Sequence, residues 1–481
     1  MDELAGCRAV PLEDVLEERE ARAFRQRRLL AEHPGTLISF SLNIPGPYKT
    51  FPLALRCFRE GKRSILLALE AENIALEHGE SSENEAGYAA YFCTKAPPGA
   101  VKSLAIHIEE THPLGRLFDI DVFRQDGEKL ARGALRADGG STQVRYAAGR
   151  PCLVCGGNAF VCARSGAHAP GEVRDAMLAL MRKWQRGEAA AAVEAAAFKA
   201  LMGEAAVTPK PGLVDRANSG AHNDMDFFSF INSAAAIVRY FKSCACAGFD
   251  SLDDNAPCGD PAELFASLRH DGKAAEIAML RSSGGANTHR GLIFSLGILS
   301  AAYGRLFRAG EDSLDGLLGL CRAMTLHLMD DLSPAGDGIA KTHGQALYAR
   351  YGISGARGEA VAGFPHARSG LKHLHNLLKA GHTLNDAGAA LLLRFMACLD
   401  DTNLVRRGGI NALRRIRESL SAFLASEPPM QEILRKAREL DGEFIRGGLS
   451  PGGSADMLAI TLFLHGLGYG AAPNHGTPRI P

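Results

Sequence analysis

Beyond Trp184 the apolar residues of this 481-residue chain fall almost wholly at helical spacing, whereas before about residue 183 they come in short runs that read as strands. The segments AAAAVEAAAFKALM, FFSFINSAAAIVRYF, LIFSLGILSAAYG, LDGLLGLCRAMTLHLM, LNDAGAALLLRFMACL and SADMLAITLFLHGL repeat near 3.6 residues or are apolar all round. The earlier runs TLISFSLNI, SILLALEA, AIHIEE and RLFDIDVF are short, β-like and separated by polar loops. The change of period predicts two domains. Residues 1–183 read as an α/β or α+β domain with a mixed sheet, 184–190 as a short linker, and 191–481 as an all-α helical bundle. Residues 10–30 read as a charged amphipathic helix whose arginines form a solvated outer face. With 46% hydrophobic residues, both domains can fill a core.

Lys plus Arg and Asp plus Glu each total 54, with no long block of one sign. Nothing in that balance marks nucleic acid or an anionic membrane as a partner, so charged substrates must be met locally. The N-terminus MDELAGCRAVPLEDV carries acidic residues and no apolar signal core, and no run reads as the ~20 residues of a membrane span. A soluble, cytoplasmic protein is expected. Eleven cysteines without a secretory signal suggest reduced thiols.

The stretch from Glu204 to Asp226, EAAVTPKPGLVDRANSGAHNDMD, sets a dense group of ionisable residues between two apolar helices. Pro209 and Pro211 disfavour helix on either side of Lys210, while Gly212 and Gly220 permit tight backbone, so an ordered, irregular loop is expected. A helix should begin at or just after Asp224. Asp224 and Asp226 then lie at its first turn, where they can cap the helix or hold magnesium. A second stretch, RSSGGANTHRGLIFSLG, carries Asn287, Thr288, His289 and Arg290 into a helix start whose free amides suit a phosphate. It lacks the Lys-Ser/Thr of a Walker A loop, so a conventional P-loop ATPase is not supported. Asp401 and Asn403 in DDTNLVRRGG, and Ser454 and Asp456 in LSPGGSADMLA, sit at further helix starts, where Ser454 is as well explained as a cap. Lys341 and His343 in KTHGQALY are similarly placed.

In the first half, LISFSLNIPGPYKT runs a strand into a turn carrying Asn43 and Lys49; Lys49 suits a phosphate or an ordinary surface equally. If RLFDIDVF is a strand, Asp119 and Asp121 share one face ~7 Å apart while Phe118, Ile120 and Val122 face the core. Their repulsion, about 2 kcal/mol at an effective dielectric near 20, calls for a cation or arginine, and magnesium bridging to a triphosphate would supply one. His112 and Arg116 are candidate phosphate ligands beside the pair. Cys152, Cys155, Cys162 and His168 have the ligand types of a structural zinc site, though not the spacing of a common finger; small buried thiols are the alternative, with Arg164 free to reach an anionic substrate.

NIPGPYK, HPLGRLFDIDV and CLVC...VCARSGAH together resemble the citrate lyase holo-acyl-carrier-protein synthase family, the apo-citrate lyase phosphoribosyl-dephospho-CoA transferases. TPKPGLVDRANSGAHNDMD, SGGANTHRGLIFSLGIL, DTNLVRRGG and LSPGGSADMLA resemble the triphosphoribosyl-dephospho-CoA synthase family, and the tandem order resembles the fused, bifunctional form. The resemblance implies that the second domain joins ATP to 3'-dephospho-CoA with loss of adenine, and that the first transfers the phosphoribosyl-dephospho-CoA unit to a serine of the acyl-carrier (gamma) subunit of citrate lyase with loss of diphosphate. It implies Glu204, Lys210, Asn218, His289, Arg290 and Lys341 around the phosphates, with metal ligands or the base among Asp215, Asp224, Asp226 and Glu276. In the first domain it implies Asp119 and Asp121 on magnesium, with Lys49, Arg116 and Arg164 on the phosphates. Arg290 keeps the charge of a lysine common in the family pattern; Asn223 does not and is given no phosphate role. Two rivals are an equivalent pair serving malonate decarboxylase and a non-catalytic nucleotide-binding scaffold.

Overall fold

The computed structural model describes residues 3–132, 150–253, 256, 258–330 and 343–470; Lys341 and the side chain of His343 lie outside the described residues. The chain divides into two compact units, Met1–Gln185 and Arg186–Pro481.

The first unit runs α1 (Leu12–Glu32), β1 (Thr36–Leu42), α2 (Pro52–Ala71), β2 (His78–Asn84), β3 (Gly87–Thr94), α3 (Pro98–Thr111), β4 (Phe118–Phe123) and the short α4 (Ala159–Ser165). Its sheet has the order β2-β3-β1-β4, and every pairing is antiparallel, which corrects the mixed sheet expected from sequence. Two of the expected strands are helical. SILLALEA forms the end of α2, where Ile65 and Leu69 are buried four residues apart while Leu66 and Leu67 face outward; AIHIEE lies within α3. Each run is short enough that period 2 and period 3.6 cannot be told apart, and Pro52 and Pro98 supply helix starts that decide the matter. The strands missed are β2, a polar edge strand, and β3, its hairpin partner. Phe40, Phe58 and Phe118 meet at the centre of the core, Phe40 stacking on Phe58 and meeting Phe118 edge-on.

Helix α5 (Pro170–Ala206) is continuous through residues 184–190, so the expected linker is helical. Met177, Met181 and Trp184 belong to the first core, Val193, Ala197 and Leu201 to the second. The remaining elements are α6 (Phe227–Asp250), α7 (Pro261–Ser282), α8 (Arg290–Ala309), α9 (Leu314–Met324), α10 (His343–Tyr351), α11 (Gly355–Val361), α12 (Pro365–Lys379), α13 (Leu384–Cys398), α14 (Thr402–Ala425), α15 (Met430–Gly447) and α16 (Gly452–Gly466), with no strand among the described residues. Helix α8 has the length and apolarity of a membrane span, contrary to the sequence reading, yet most of it is buried in this core.

Helices α6 and α8 run side by side in the same direction, with successive contacts Ser233–His289, Tyr240–Gly297 and Gly248–Ala301. Their backbones nearly touch: a methyl on Gly248 would lie 1.8 Å from the Ala301 carbonyl oxygen, and one on Gly304 would lie 2.0 Å from that of Ala245. This close parallel packing sets both helix starts at one end, beside the loop that precedes α6.

Candidate functional sites

The stretch from Glu204 to Asp226 is an ordered loop built around Asp215. One Asp215 oxygen accepts from the backbone N–H groups of Ala217 (2.7 Å) and Asn218 (3.0 Å), and the other from that of Lys210 (3.1 Å). The Asn218 side chain accepts from Gly220 and donates to Asp441, whose second oxygen takes the N–H of Gly212. Gly212 has φ +67°, and a methyl there would lie 2.2 Å from the Leu449 carbonyl oxygen. Asp215 and Asn218 therefore shape the loop, a different task from the substrate contact expected of them. The buried Lys210 ammonium donates to the buried Glu204 carboxylate at 2.5 Å and to the Glu204 carbonyl at 2.8 Å. An unpaired charge at such depth is costly, so the first task of Lys210 is to neutralise Glu204.

Asp226 is the N-cap of α6: its carboxylate accepts from the Ser229 N–H at 2.9 Å, and Ser229 reaches back to the Asp226 N–H. Replacing Asp226 by alanine should lower the urea midpoint of unfolding, because the N-cap bond to Ser229 is lost, and leave turnover unchanged at saturating substrate. A urea titration run beside the activity assay checks both, and a large loss of turnover in the folded variant would return Asp226 to the site. His289, expected as a phosphate ligand, is buried and held neutral, its pKa pushed down to about 3 by burial and by Lys210. Thr288 donates to Ser233 at 2.7 Å, and the Ser233 hydroxyl lies 2.7 Å from His289 Nδ1. A neutral imidazole supplies no charge to a phosphate.

Four helices begin at a cavity of about 360 Å³: α6 through Met225 and Phe230, α8 through Arg290 and Gly291, α14 through Asn403, Arg406 and Arg407, and α16 through Gly452 and Asp456. Positive helix ends converge there; at the start of α8 the His289 side chain makes no capping bond, and Asn287 accepts from the Arg290 N–H at 3.2 Å. Arg407 is fixed by the carbonyls of Ala221 and Gly448 and by His222, which also touches Ser450; burial and then Arg407 push the His222 pKa down. Arg406 is exposed at the cavity, and among the described residues no hydrogen bond or ion pair holds its side chain. Arg290 has Glu276 at 3.4 Å, so Glu276 steadies an arginine and does not border this cavity.

A second cavity of about 530 Å³ shares Asn287, Arg290, Gly291, Asn403 and Asp456 with the first. Asp456 thus stands on the partition between two compartments. Burial, then the nearby Glu204 and Asp401, push its pKa well above the ordinary carboxylate range. Gly291 makes room for it, since a methyl there would lie 2.0 Å from an Asp456 oxygen. Asp401 is committed elsewhere: it caps α14 through the N–H groups of Asn403 and Leu404 and accepts from the Ser454 N–H (2.8 Å) and hydroxyl (3.0 Å). Asp401 and Ser454 tie α14 to α16.

In the first unit, Asn43, Lys49 and Asp119 line a cavity of about 200 Å³ together with Arg19 and Arg22 from α1. Burial, then Arg19 and Arg22, push the Lys49 pKa down, as expected of cations gathered around space for an anion. Phe118, Ile120 and Val122 are buried and Asp119 and Asp121 alternate with them, as the strand pattern predicts. Arg150 lies 3.2 Å from Asp119 and Lys129 lies 2.6 Å from Asp121, so protein cations answer the repulsion expected of the pair.

The family model for the apo-citrate lyase phosphoribosyl-dephospho-CoA transferase, CitX, matches residues 10–184, and that for the ATP:dephospho-CoA triphosphoribosyl transferase, CitG, matches residues 190–474. Protein CitXG of Haemophilus influenzae is 32% identical over 94% of this chain and 96% of its own length. The chain belongs to the CitXG family. Protein CitXG of Leuconostoc mesenteroides subsp. cremoris is 31% identical over 96% of this chain and 98% of its own. The 2-(5''-triphosphoribosyl)-3'-dephosphocoenzyme-A synthase of Klebsiella pneumoniae is 40% identical over 58% of this chain and 92% of its own. The chain is a bifunctional transferase of citrate lyase prosthetic-group synthesis.

Within the CitX domain, several expected ligands lie away from the cavity. His112 pairs with Glu60 at 3.4 Å and stacks on Phe118; Arg116 donates to the Pro151 carbonyl; Arg164 lies over the Phe160 ring. In neither carboxylate pair expected to bind magnesium do both members border the same cavity. Asp119 borders the CitX cavity without Asp121, and Asp224 borders the CitG cavity without Asp226. The residues missed are cations. Arg19 and Arg22 recur at helical spacing on one face of α1, where the sequence reads as a solvated surface, while Arg406 and Arg407 stand in DTNLVRRGG three and four residues after Asn403. The four atoms of the cysteine cluster do come together: Cys152, Cys155, Cys162 and His168 offer ligand atoms all within 4.8 Å of one another.

Proposed function

We propose that the two CitG compartments hold ATP and 3'-dephospho-CoA on either side of Asp456, and that Asp456 is the general base between them. The observation that carries this reading is the carboxylate on the wall common to both cavities. Arg290, Arg406 and the helix starts bind the triphosphate in the smaller compartment. Asp456 takes the proton of the dephospho-CoA ribose 2'-hydroxyl, whose oxygen attacks the anomeric carbon of the ATP ribose; the bond to adenine breaks, and the departing base is protonated from water. The product, 2'-(5''-triphosphoribosyl)-3'-dephospho-CoA, keeps all three phosphates. Magnesium would arrive with the triphosphate, Asp224 being the wall carboxylate beside it, and would supply charge neutralisation.

In the CitX cavity, Lys49, Arg19 and Arg22 hold the phosphates and Asp119 takes the proton of the carrier serine. The serine oxygen bonds to the phosphorus nearest the ribose, and diphosphate leaves. The partner in this reading is the acyl-carrier gamma subunit of citrate lyase, and dependence on ATP and dephospho-CoA supports a cytoplasmic reaction. Mass spectrometry of the carrier after incubation with ATP, dephospho-CoA, magnesium and this protein tests the whole reading: the expected mass gain is one phosphoribosyl-dephospho-CoA unit. Modification of a malonate decarboxylase carrier in preference to the citrate lyase carrier would redirect it, and no free adenine would overturn it.

A base must be deprotonated to act. Because burial raises the Asp456 pKa, adenine release should rise with pH along an acid limb lying well above the ordinary carboxylate range. A pH profile of kcat/KM reads that limb, and an ordinary carboxylate midpoint would remove Asp456 from the role.

A further inference from the structure

We propose that Cys152, Cys155, Cys162 and His168 bind one zinc ion, and that this metal fixes the segment which delivers Arg150 to Asp119. Residues 151–169 contain no buried residue, and Val154, Phe160 and Val161 are exposed, so the segment has no apolar core of its own. Small units without a core are held by disulfides or metals.

Its backbone is nonetheless tightly specified. The Gly156 N–H returns to the Cys152 carbonyl at 3.1 Å, Gly156 turns with φ +74°, and Pro151 pairs with Asn158 across the turn. Asn158 caps α4, which carries Cys162, and Gly166 with φ +60° ends that helix and sends the chain back through His168. Cys155 and Cys162 sulfurs are 3.6 Å apart. A disulfide would need about 2.05 Å, whereas two thiolates at ~2.3 Å from one tetrahedral zinc stand ~3.8 Å from each other. His168 Nε2 is a buried nitrogen without a hydrogen-bond partner among the described residues, which a metal bond would satisfy. The buried-thiol alternative does not fit, because Cys155 is exposed and Cys152 and Cys162 only partly covered, unlike the core cysteines Cys57, Cys244 and Cys321.

The segment begins next to the CitX cavity. Arg150 bonds to Glu109 at 2.5 Å and to Asp119 at 3.2 Å, and the next residue, Pro151, offers its carbonyl to Arg116. Releasing the metal should free Arg150 from Asp119 and leave the CitG cavity untouched; this last clause alone rests on the function proposed above.

The test uses full-length protein purified under reductant without added metal. Elemental analysis should find about one zinc per chain, released by a mercurial and read with a chromophoric chelator. Cobalt(II) in its place should give the thiolate-to-metal absorption of a tetrahedral site. Cys155→Ser should lose most of the metal and Cys398→Ser, at an exposed cysteine elsewhere, none; should Cys155→Ser fail to fold, the wild-type stoichiometry and cobalt spectrum still decide. Zinc below a tenth per chain in protein that modifies its carrier, iron in its place, or a Cys155–Cys162 disulfide overturns the proposal. Metal content is read without any carrier, so its failure is distinguishable from failure of the assigned reaction.

Discussion

Asp456→Asn is expected to lower adenine release from ATP and dephospho-CoA by about 10²–10⁴-fold. Asparagine keeps the size of the side chain beside Gly291, where there is no room for a further atom, and removes only the capacity to accept a proton. Both compartments keep their shape, so substrate binding should change far less than turnover. The same variant, supplied with ready-made triphosphoribosyl-dephospho-CoA, should load the carrier at the normal rate, because every residue assigned to that step lies in the CitX domain. Measuring free adenine and carrier mass side by side separates the two activities. Wild-type adenine release in the folded variant would end the assignment of Asp456 as base.

Asp119→Asn should give the reverse pattern: adenine released at the normal rate, the triphosphoribosyl intermediate accumulating, and carrier modification reduced by on the order of 10²-fold or more. Asp119 is the carboxylate bordering the CitX cavity alongside Lys49, Arg19 and Arg22, and it is about half exposed, so the substitution should cost little stability. Asp121→Asn is expected to be mild, since Asp121 is bonded to Lys129 and does not border that cavity. Wild-type CitX domain added in trans should restore modification if the intermediate diffuses. Normal carrier loading by Asp119→Asn would show that the serine proton goes elsewhere; loss of adenine release in a well-folded protein would undo the division of labour.

The strongly periodic parts of the sequence were legible. Alternation over Phe118–Val122 placed the strand and its two faces, and long apolar helices such as α6, α8 and α16 are where their spacing puts them. Short runs were not, because eight residues such as SILLALEA fit either period, and a polar edge strand such as β2 has no apolar face to announce it. The site was legible by segment but less so by residue. The loop from Glu204 and the helix starts at Arg290, Asn403 and Asp456 all reach the CitG cavity. What spacing could not show is which polar groups are already used inside the protein: Asp215, Asn218, Asp226 and Asp401 satisfy backbone N–H groups, and Lys210 satisfies Glu204. Those commitments depend on partners distant in sequence, such as Asp441 and Ser454, and emerge only from tertiary packing.

The convergence of four helix starts on the CitG cavity has a kinetic corollary. Backbone dipoles carry no exchangeable charge, and arginine does not titrate in the range where proteins are stable. On the proposed reading, the share of the triphosphate grip that these parts supply is the same at pH 6 and pH 9, while Asp456 on the shared wall adds a negative charge as pH rises. Acidity would then slow turnover without loosening the hold on nucleotide. A cell that acidifies would find such a catalyst slowed yet still occupied.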